Sequence, residues 1–264
     1  MLKGAIHIHS TYSDGEFTLE ELREVLVGEG CTFLCVADHA EYFNTHKLRE
    51  YVAHCTALSD QRFLIVPGLE YRSHEGMHIL GYGMTTQVAT TDLQKIIEGI
   101  EKEGGVPVIA HPKESMFGTI ESLRSLPKGI EIWNSKYDGQ YAPRPATIAL
   151  LQRLKQRKPD IQAFYGQDLH WRHQHRGVFT LAQCETLRRD SILQVLANGH
   201  YCGSKDDRIL PSSGDFSQEM VQRFDVVHRR SARLQKLLKT GKRLSDRLGI
   251  KVPSGLKAQI RRVV

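Results

Sequence analysis

Short apolar runs alternate with stretches of amphipathic helical periodicity along most of this chain. The runs have the length of buried β-strands, and they cover residues 2–8, 32–37, 63–69, 78–82, 106–110, 129–133 and 161–166. The helical stretches cover residues 19–28, 46–58, 93–103, 145–155 and 191–198. Repeated alternation of strand and helix predicts an α/β fold with a parallel sheet, either open or closed as a barrel. Residues 203–214, rich in Gly, Ser, Asp and Pro, are predicted to form a loop.

Side chains able to bind a metal stand at or just after the ends of these predicted strands. His7 and His9 lie at the end of the first strand, and their spacing of two projects both imidazoles to the same side. Asp168 and His170 repeat the arrangement after the last strand. In a β/α fold the loops at these ends converge on one face. The two pairs face each other only if the sheet curls round, which favours a barrel.

Further candidates follow the other strands or their turns: Asp14, Asp38, His39, Glu70, His78 and His111. We interpret Asp38 as a residue that supports the ligands and the other nine candidates as ligands, which is too many for one tetrahedral ion. Several divalent ions are therefore predicted. Mixed imidazole and carboxylate ligation suits zinc, manganese or iron, and a carboxylate such as Glu70 can bridge two ions.

Each of these residues alone is weak evidence for a metal site. A single histidine at a strand end is usually structural, and Asp14 lies in a Ser-Asp-Gly sequence typical of ordinary turns. The remaining histidines are interpreted in this structural sense, namely His46, His54, His74, His173, His175, His200 and His228. The joint pattern is more specific, because nearly every predicted strand ends in a residue that can bind a metal.

Taken in order, the motifs resemble the polymerase and histidinol phosphatase (PHP) family of metal-dependent phosphoesterases. The resemblance covers roughly residues 1–205. It runs through His-Ile-His-Ser-Thr-Tyr-Ser-Asp-Gly at 7–15, Val-Ala-Asp-His at 36–39, Gly-Leu-Glu at 68–70, His-Ile-Leu-Gly-Tyr at 78–82, Ala-His-Pro at 110–112 and Gly-Gln-Asp-Leu-His at 166–170.

This resemblance implies a distorted (β/α)7 barrel with up to three metal ions. It also implies three ligand sets, which are His7, His9, Glu70 and Asp168 for one ion, Glu70, His78 and His111 for a second, and Asp14, His39 and His170 for a third.

The chain departs from the family pattern in places. Gln167 stands where family members often carry Ser, next to the predicted ligand Asp168. Some relatives have His on the turn occupied by Asp14, so the third ion is the least constrained part of the expected centre. The connection from His111 to Asp168 is short, which leaves little room for the substrate domain that some nuclease-like relatives insert there.

We expect a phosphoric ester hydrolase with histidinol-phosphatase-like chemistry on a small-molecule phosphomonoester. Adjacent metal ions can acidify a bound water near neutral pH, so a metal-bridging hydroxide is expected as the nucleophile, and no protein nucleophile is required. Lys113, Arg172 and Arg176 follow ligand motifs closely enough to contact the substrate phosphate, although a solvated surface position is an equal alternative for each.

The net charge of +6 is unevenly distributed along the chain. Residues 221–264 contain 13 Lys and Arg against 2 Asp and Glu, which leaves 23 against 28 in residues 1–220. We therefore predict a PHP-type domain over residues 1–215 and a basic extension over 216–264 with one or two amphipathic helices.

The basic extension leaves two rival functions open. A nuclease or nucleotide phosphoesterase would use it to contact a phosphate backbone. A non-catalytic PHP scaffold would use it to dock an acidic partner or a membrane surface. A solvated extension or an oligomerisation helix is the plainer alternative, and the sequence determines neither the oligomeric state nor the substrate.

The sequence also bears on where the protein acts. No stretch approaches the roughly 18 consecutive apolar residues of a membrane span, and the first residues lack the long apolar region of a signal peptide. We therefore expect a cytoplasmic protein.

Overall fold

The computed structural model describes residues 1–139, 141–206 and 208–247. The β-strands of this part are β1 (Leu2–Ile8), β2 (Phe33–Val36), β3 (Asp38–His39), β4 (Leu64–Val66), β5 (Gly68–Arg72), β6 (His78–Tyr82), β7 (Val106–Ala110), β8 (Gly129–Asn134), β9 (Gln162–Gly166), β10 (Phe179–Ala182), β11 (Tyr201–Lys205) and β12 (Arg208–Pro211). The α-helices are α1 (Leu19–Gly28), α2 (Thr45–Ala57), α3 (Leu93–Lys102), α4 (Phe117–Glu121), α5 (Pro145–Lys155), α6 (Arg189–Asn198) and α7 (Gln218–Arg247).

The strands form two six-stranded mixed sheets. The first has the order β12-β11-β10-β1-β2-β4, and the second has the order β3-β5-β6-β7-β8-β9. In the first sheet, β1, β2 and β4 are parallel, while β10 and β11 each run antiparallel to their neighbours. In the second, β7, β8 and β9 are parallel and β6 is antiparallel to both of its neighbours.

The predicted α/β class is confirmed, but a closed seven-stranded barrel is not, and the wholly parallel sheet is wrong. Residues 73–77 between β5 and β6 are too few for a crossover helix, so these strands pair antiparallel. The two sheets are separated by interruptions of one residue, Ala37 between β2 and β3 and Pro67 between β4 and β5. Pro67 has no backbone N–H to continue a ladder.

The central strands are buried on both faces, which explains their nearly continuous apolar sequences. Neighbouring residues of β2 point to opposite sides. Leu34 packs in the cluster that contains buried residues of α1 to α5, and Phe33 and Cys35 pack in a second cluster that includes Phe164 of β9 and residues of α6. The strands are therefore held from both sides, and their ends are fixed relative to one another.

Helix boundaries follow local signals in the sequence. The side chain of Thr18 accepts a hydrogen bond from the backbone N–H of Glu21, and the Glu21 carboxylate accepts one from the N–H of Thr18. This is the predicted capping box of α1. Farther along the chain, α6 is followed by Gly199, whose φ of 72° is the left-handed conformation that favours glycine.

The loop predicted over residues 203–214 is wrong, because most of it belongs to the antiparallel strands β11 and β12. The strand β10 was also not predicted. Cys202, Gly203 and Ser204 pair with residues of β10 on one side and of β12 on the other. Small and polar residues carry little apolar periodicity, so the pairing partners, rather than local preference, determine these strands.

The predicted basic extension forms one helix, α7, in the part that the structure describes. Phe224 is buried in the main core. Partly buried side chains pack against the same core, namely Phe216, Met220, Val221 and Val227. The His228 ring donates to the carbonyl oxygen of Pro143 at 2.9 Å, so one face of the helix contacts the rest of the protein as far as His228. Residues 248–264 of the predicted extension lie outside the described residues, and the division at residue 215 stays a prediction.

Among the described residues, no helix is both long enough and apolar enough to span a membrane.

The capping box gives a first prediction. Replacing Thr18 by Ala removes the acceptor for the Glu21 N–H and should lower the free energy of unfolding by about 1 kcal/mol. Thr18→Ser keeps the hydroxyl and should stay close to the original stability. Urea denaturation followed by circular dichroism measures both, and equal losses in the two variants would contradict the capping role.

Candidate metal centre

The predicted ligands converge where the two sheets meet. The backbone N–H of Asp168 donates to the carbonyl oxygen of His7 at 2.7 Å, and the N–H of His9 donates to that of Leu169 at 3.0 Å. These bonds join the end of β1, in the first sheet, to the segment after β9, in the second. Both residue pairs identified from the sequence therefore lie side by side.

The backbone at this junction is strained. His7, His111 and Asp168 have φ values of 55°, 27° and 51°. Among the described residues, only Asp206 is another non-glycine residue with positive φ. Such conformations cost about 1–3 kcal/mol each and persist where the surrounding structure imposes them. The side chains of these three residues lie close together, with Asp168 oxygens 3.8 Å from His7 Nε2 and 3.7 Å from His111 Nε2.

Glu70 lies at the centre of the cluster, 1% exposed. Its Oε1 lies 2.9 Å from His78 Nδ1 and 3.1 Å from His111 Nε2. Its Oε2 lies 3.2 Å from His39 Nδ1 and 3.3 Å from His9 Nε2. One carboxylate thus faces histidines from four different segments, which is the geometry that a bridging ligand needs.

Two further carboxylates lie to the side of Glu70. Asp168 Oδ1 lies 3.1 Å from His170 Nδ1 and 3.6 Å from His9 Nε2. Asp14 Oδ1 lies 3.4 Å from His170 Nε2 and 3.6 Å from His39 Nε2. The Asp14 side chain is 39% exposed, whereas those of the other two carboxylates are buried, so Asp14 is on the solvent side of the cluster.

Four groups of side chains each bring their ligand atoms within 4.8 Å of one another. They are His9, Asp14, His39 and His170; His7, His9 and Asp168; His7, Glu70 and His111; and His39, Glu70 and His78. All nine predicted ligands belong to these groups. The first group contains the set expected at a third ion, but His78 is grouped with His39 rather than with His111. The assignment of residues to individual ions therefore stays a prediction.

The histidines of this cluster fit a metal because several of their nitrogens have no other partner. Among the described residues, His7 Nε2, His39 Nδ1 and both ring nitrogens of His9 are buried without a hydrogen bond. Burial lowers the pKa of His9 to about 3, against the opposing effect of Glu70. A neutral imidazole with a free nitrogen lone pair is the form that binds a metal ion.

The two buried carboxylates remain ionised. Burial alone would raise the pKa of Glu70, yet it is held well below its usual value by His7 and His111. Burial likewise opposes the ionisation of Asp168, and His7 and His170 outweigh that effect and lower its pKa. His9 is thus a neutral donor beside two anionic ones, whereas against the effect of burial the nearby carboxylates raise the pKa of His7 and of His111.

Glu131 was missed in the sequence, although it belongs to the centre. Its Oε1 lies 2.7 Å from His7 Nδ1, and its Oε2 accepts from the backbone N–H of His111 and from Asn134 Nδ2, both at 3.0 Å. A Cβ at Gly166 would overlap its Oε1. Glu131 thus turns His7 so that Nε2 faces the cluster. A charged residue inside the apolar run of residues 129–133 was the signal that could have identified it.

Asp38 accepts hydrogen bonds from the loop that carries Asp14, and its role as support for the ligands stays a prediction. Its carboxylate accepts from the Ser10 N–H at 2.8 Å, from the Ser10 hydroxyl at 2.7 Å and from the Ser13 hydroxyl at 2.5 Å. Burial raises the pKa of Asp38 to about 6, although the hydrogen bonds from Ser13 and Ser10 oppose the shift. Its oxygens are directed at the loop and not at the histidine cluster.

A turn after β8 brings a cation to the cluster. Lys136 Nζ lies 3.2 Å from Asp168 Oδ1 and 3.1 Å from His170 Nδ1. Asn134 Oδ1 fixes the turn by accepting from the backbone N–H groups of Lys136 and Tyr137. No motif in the sequence marked Lys136, because its position depends on a turn that brings residue 136 beside residue 168.

The cations proposed from the sequence have other surroundings. Arg172 forms an ion pair with Glu21 and packs over the Phe17 ring, 4.3 Å from its centroid. Arg176 donates to the carbonyl oxygen of Ser135, and Lys113 is exposed. A role of these three residues in phosphate binding stays a prediction, and Lys136 is the cation that contacts the cluster.

Comparisons with known proteins agree with this fold. No family model matches the chain. The DNA polymerase/3'-5' exonuclease PolX of Bacillus subtilis (strain 168) is 30% identical over 77 residues, which cover 26% of this chain and 14% of that protein.

Solved structures with a similar fold include two that cover most of this chain. One is a two-domain protein from Bacteroides vulgatus, described as containing a predicted PHP-like metal-dependent phosphoesterase, with a TM-score of 0.57, 16% identity, and coverage of 84% of this chain and 68% of that one. The other is PsfC from Pseudomonas syringae, with a TM-score of 0.55, 14% identity, and coverage of 87% and 98%. The resemblance to PHP proteins is therefore confirmed at the level of the fold.

Glu131 allows a test of the centre that does not require a substrate. Glu131→Gln keeps the shape of the side chain but removes the charge that orients His7, and it should weaken zinc or manganese binding about 10- to 100-fold. Isothermal titration calorimetry measures this change. Glu121→Gln, which alters a 37% exposed carboxylate paired with Arg153, is the matched control. Equal affinities in the two variants would contradict the orienting role.

Proposed function

We propose that this chain, which has a PHP-like fold, is a metal-dependent phosphoesterase that hydrolyses a small-molecule phosphomonoester. The observation that carries the proposal is the set of buried imidazole nitrogens without hydrogen bonds, facing the carboxylates of Glu70 and Asp168. Buried polar atoms are costly when they have no partner. A divalent cation is the partner that mixed imidazole and carboxylate donors suit.

Nine residues would hold two to three divalent ions of zinc, manganese or iron, namely His7, His9, Asp14, His39, Glu70, His78, His111, Asp168 and His170. When bound, such ions acidify water near neutral pH and stabilise the negative charge of a reacting phosphate. Glu70 is central enough to bridge two of them. Glu131 and Asp38 would keep the ligand side chains and the loop in place during the reaction.

Lys136 would bind the substrate phosphate from the open side. Its ammonium group already lies among the anionic groups of the cluster and is 17% exposed, so it can reach a phosphate oxygen while remaining paired with Asp168. Hydrogen bonds between charged groups are about twice as strong as neutral ones. The reaction then needs no side chain as nucleophile.

The direct test is hydrolysis of a panel of phosphate esters by protein reconstituted with zinc, manganese or iron. We expect turnover that depends on the added metal. His9→Ala or Asp168→Asn should lower kcat/KM by a factor on the order of 10³ or more, because the first removes a nitrogen donor that two groups share and the second removes the negative charge of an oxygen donor. Asn tolerates the left-handed backbone at residue 168, so that variant tests charge rather than folding.

His46→Ala is the matched control, because the His46 side chain is 82% exposed and pairs only with Glu50 among the described residues. It should retain full activity. Absence of metal-dependent turnover over the whole panel would contradict the proposed function and favour the non-catalytic scaffold. Activity that survives both the His9 and the Asp168 substitution would contradict the site.

A nuclease or nucleotide phosphoesterase is the second candidate, favoured by the exposed cations of α7, Arg229, Arg230, Arg233 and Lys236. Deleting residues 231–264 removes most of the basic helix and leaves the buried Phe224 in place. If the helix contacts a phosphate backbone, polynucleotide affinity should fall and its salt dependence should flatten. Fluorescence anisotropy with a labelled oligonucleotide measures both. Unchanged polynucleotide binding would dismiss this role of the helix. Hydrolysis of a small ester by the truncated protein is the control that shows it is still folded.

A further inference from the structure

Exposed aromatic side chains are concentrated at the metal centre. Tyr137 is 59% exposed and lies against His111, with ring centroids 4.6 Å apart. Trp171 is 45% exposed and lies 5.7 Å from His170. Single exposed apolar residues are common on protein surfaces. Two large aromatic residues beside two predicted metal ligands form a local concentration that core packing does not require.

Both rings lie near the same ammonium group. Lys136 Nζ is 5.2 Å from the Tyr137 ring centroid and 5.7 Å from that of Trp171. The same Nζ contacts Asp168 Oδ1 at 3.2 Å. A ligand whose anionic group reaches Lys136 would therefore have its remaining part between or against these two rings.

The turn that carries Lys136 and Tyr137 is fixed before any ligand arrives. The Asn134 N–H donates to Asp138 Oδ2 at 2.9 Å, and the Asp138 N–H donates to the Asn134 carbonyl at 2.8 Å. The Trp133 indole N–H donates to the Gly139 carbonyl at 2.7 Å. A preorganised turn loses little conformational entropy on binding, which is a property of ligand-binding positions.

We infer that the phosphomonoester used by this centre carries a planar ring on its alcohol side, bound by Tyr137 and Trp171 while Lys136 contacts the phosphate. The inference rests on the proposed phosphoesterase function and names its substrate class. Aromatic rings contact one another in offset or edge-to-face arrangements, and such contacts favour a flat ring over a saturated ring of similar volume.

The test uses two esters with matched leaving groups, 2-phenylethyl phosphate and 2-cyclohexylethyl phosphate, with the metal-loaded protein. The planar ester should have a kcat/KM about tenfold higher, mostly through KM, because the ring contacts are present before and during the reaction. Equal kcat/KM values for the two esters would overturn the ring subsite and leave the phosphoesterase proposal intact. No turnover of either ester would count against the proposed function itself.

Single substitutions then test whether Tyr137 and Trp171 cause the preference for the planar ester. Tyr137→Leu and Trp171→Leu should each reduce the ratio of the two kcat/KM values about threefold or more, whereas Tyr137→Phe keeps the ring and should keep the ratio. Tyr42→Leu is the matched control, since Tyr42 is 47% exposed and lies against His39 instead. A ratio that falls equally in the Tyr42 variant would overturn the assignment to Tyr137 and Trp171.

A binding measurement is independent of turnover. Trp133 is 1% exposed, so quenching of indole fluorescence by a ligand at the surface reports Trp171. The non-hydrolysable 3-phenylpropylphosphonate should quench it at a concentration several-fold lower than 3-cyclohexylpropylphosphonate does, and Tyr137→Leu should remove that difference. Identical titrations with the two phosphonates would overturn the inference.

Discussion

The burial of Glu70 and Asp168 among histidines is the interaction on which the rest of this structure depends. A buried carboxylate is costly unless opposite charge or hydrogen-bond donors surround it. Here the surrounding groups are imidazoles from several separate segments, and those of His9 have no other partner among the described residues. Core packing does not explain this arrangement, whereas a set of donors for divalent cations does.

Hydrogen bonds and packing in the surrounding fold keep the strained backbone of the centre in place. The sheets meet at the ends of β1 and β9, and the hydrogen bonds there impose left-handed backbone on His7 and Asp168. Glu131 then sets the orientation of the His7 ring, and Asp38 holds the loop of Asp14. The strands that carry these groups are buried on both faces, so the apolar core fixes the positions at which the polar centre is built.

The open side of the centre differs from its interior. The interior is formed by histidines and carboxylates, whereas Lys136, Tyr137 and Trp171 lie on the exposed side, as does Asp14. Such a division suits a substrate with one anionic end and one flat apolar end. One face of the basic helix α7 packs on the core as far as His228, so the chemistry of the centre and the charge of the helix are separable properties.

The sequence by itself determined the α/β class, the central strands, the major helices to within a few residues and the candidate ligands. These features follow from local signals, namely apolar periodicity, helix caps and metal-binding side chains at strand ends. Tertiary structure alone decided the two mixed sheets in place of a closed barrel, the strands β10 to β12, the support from Glu131 and the position of Lys136. Each of these depends on contacts between residues far apart in sequence. Glu131 lies 124 residues from His7, and Lys136 lies 32 from Asp168. Local periodicity carries no information about pairings at such separations, since they are selected by the packing of the whole chain.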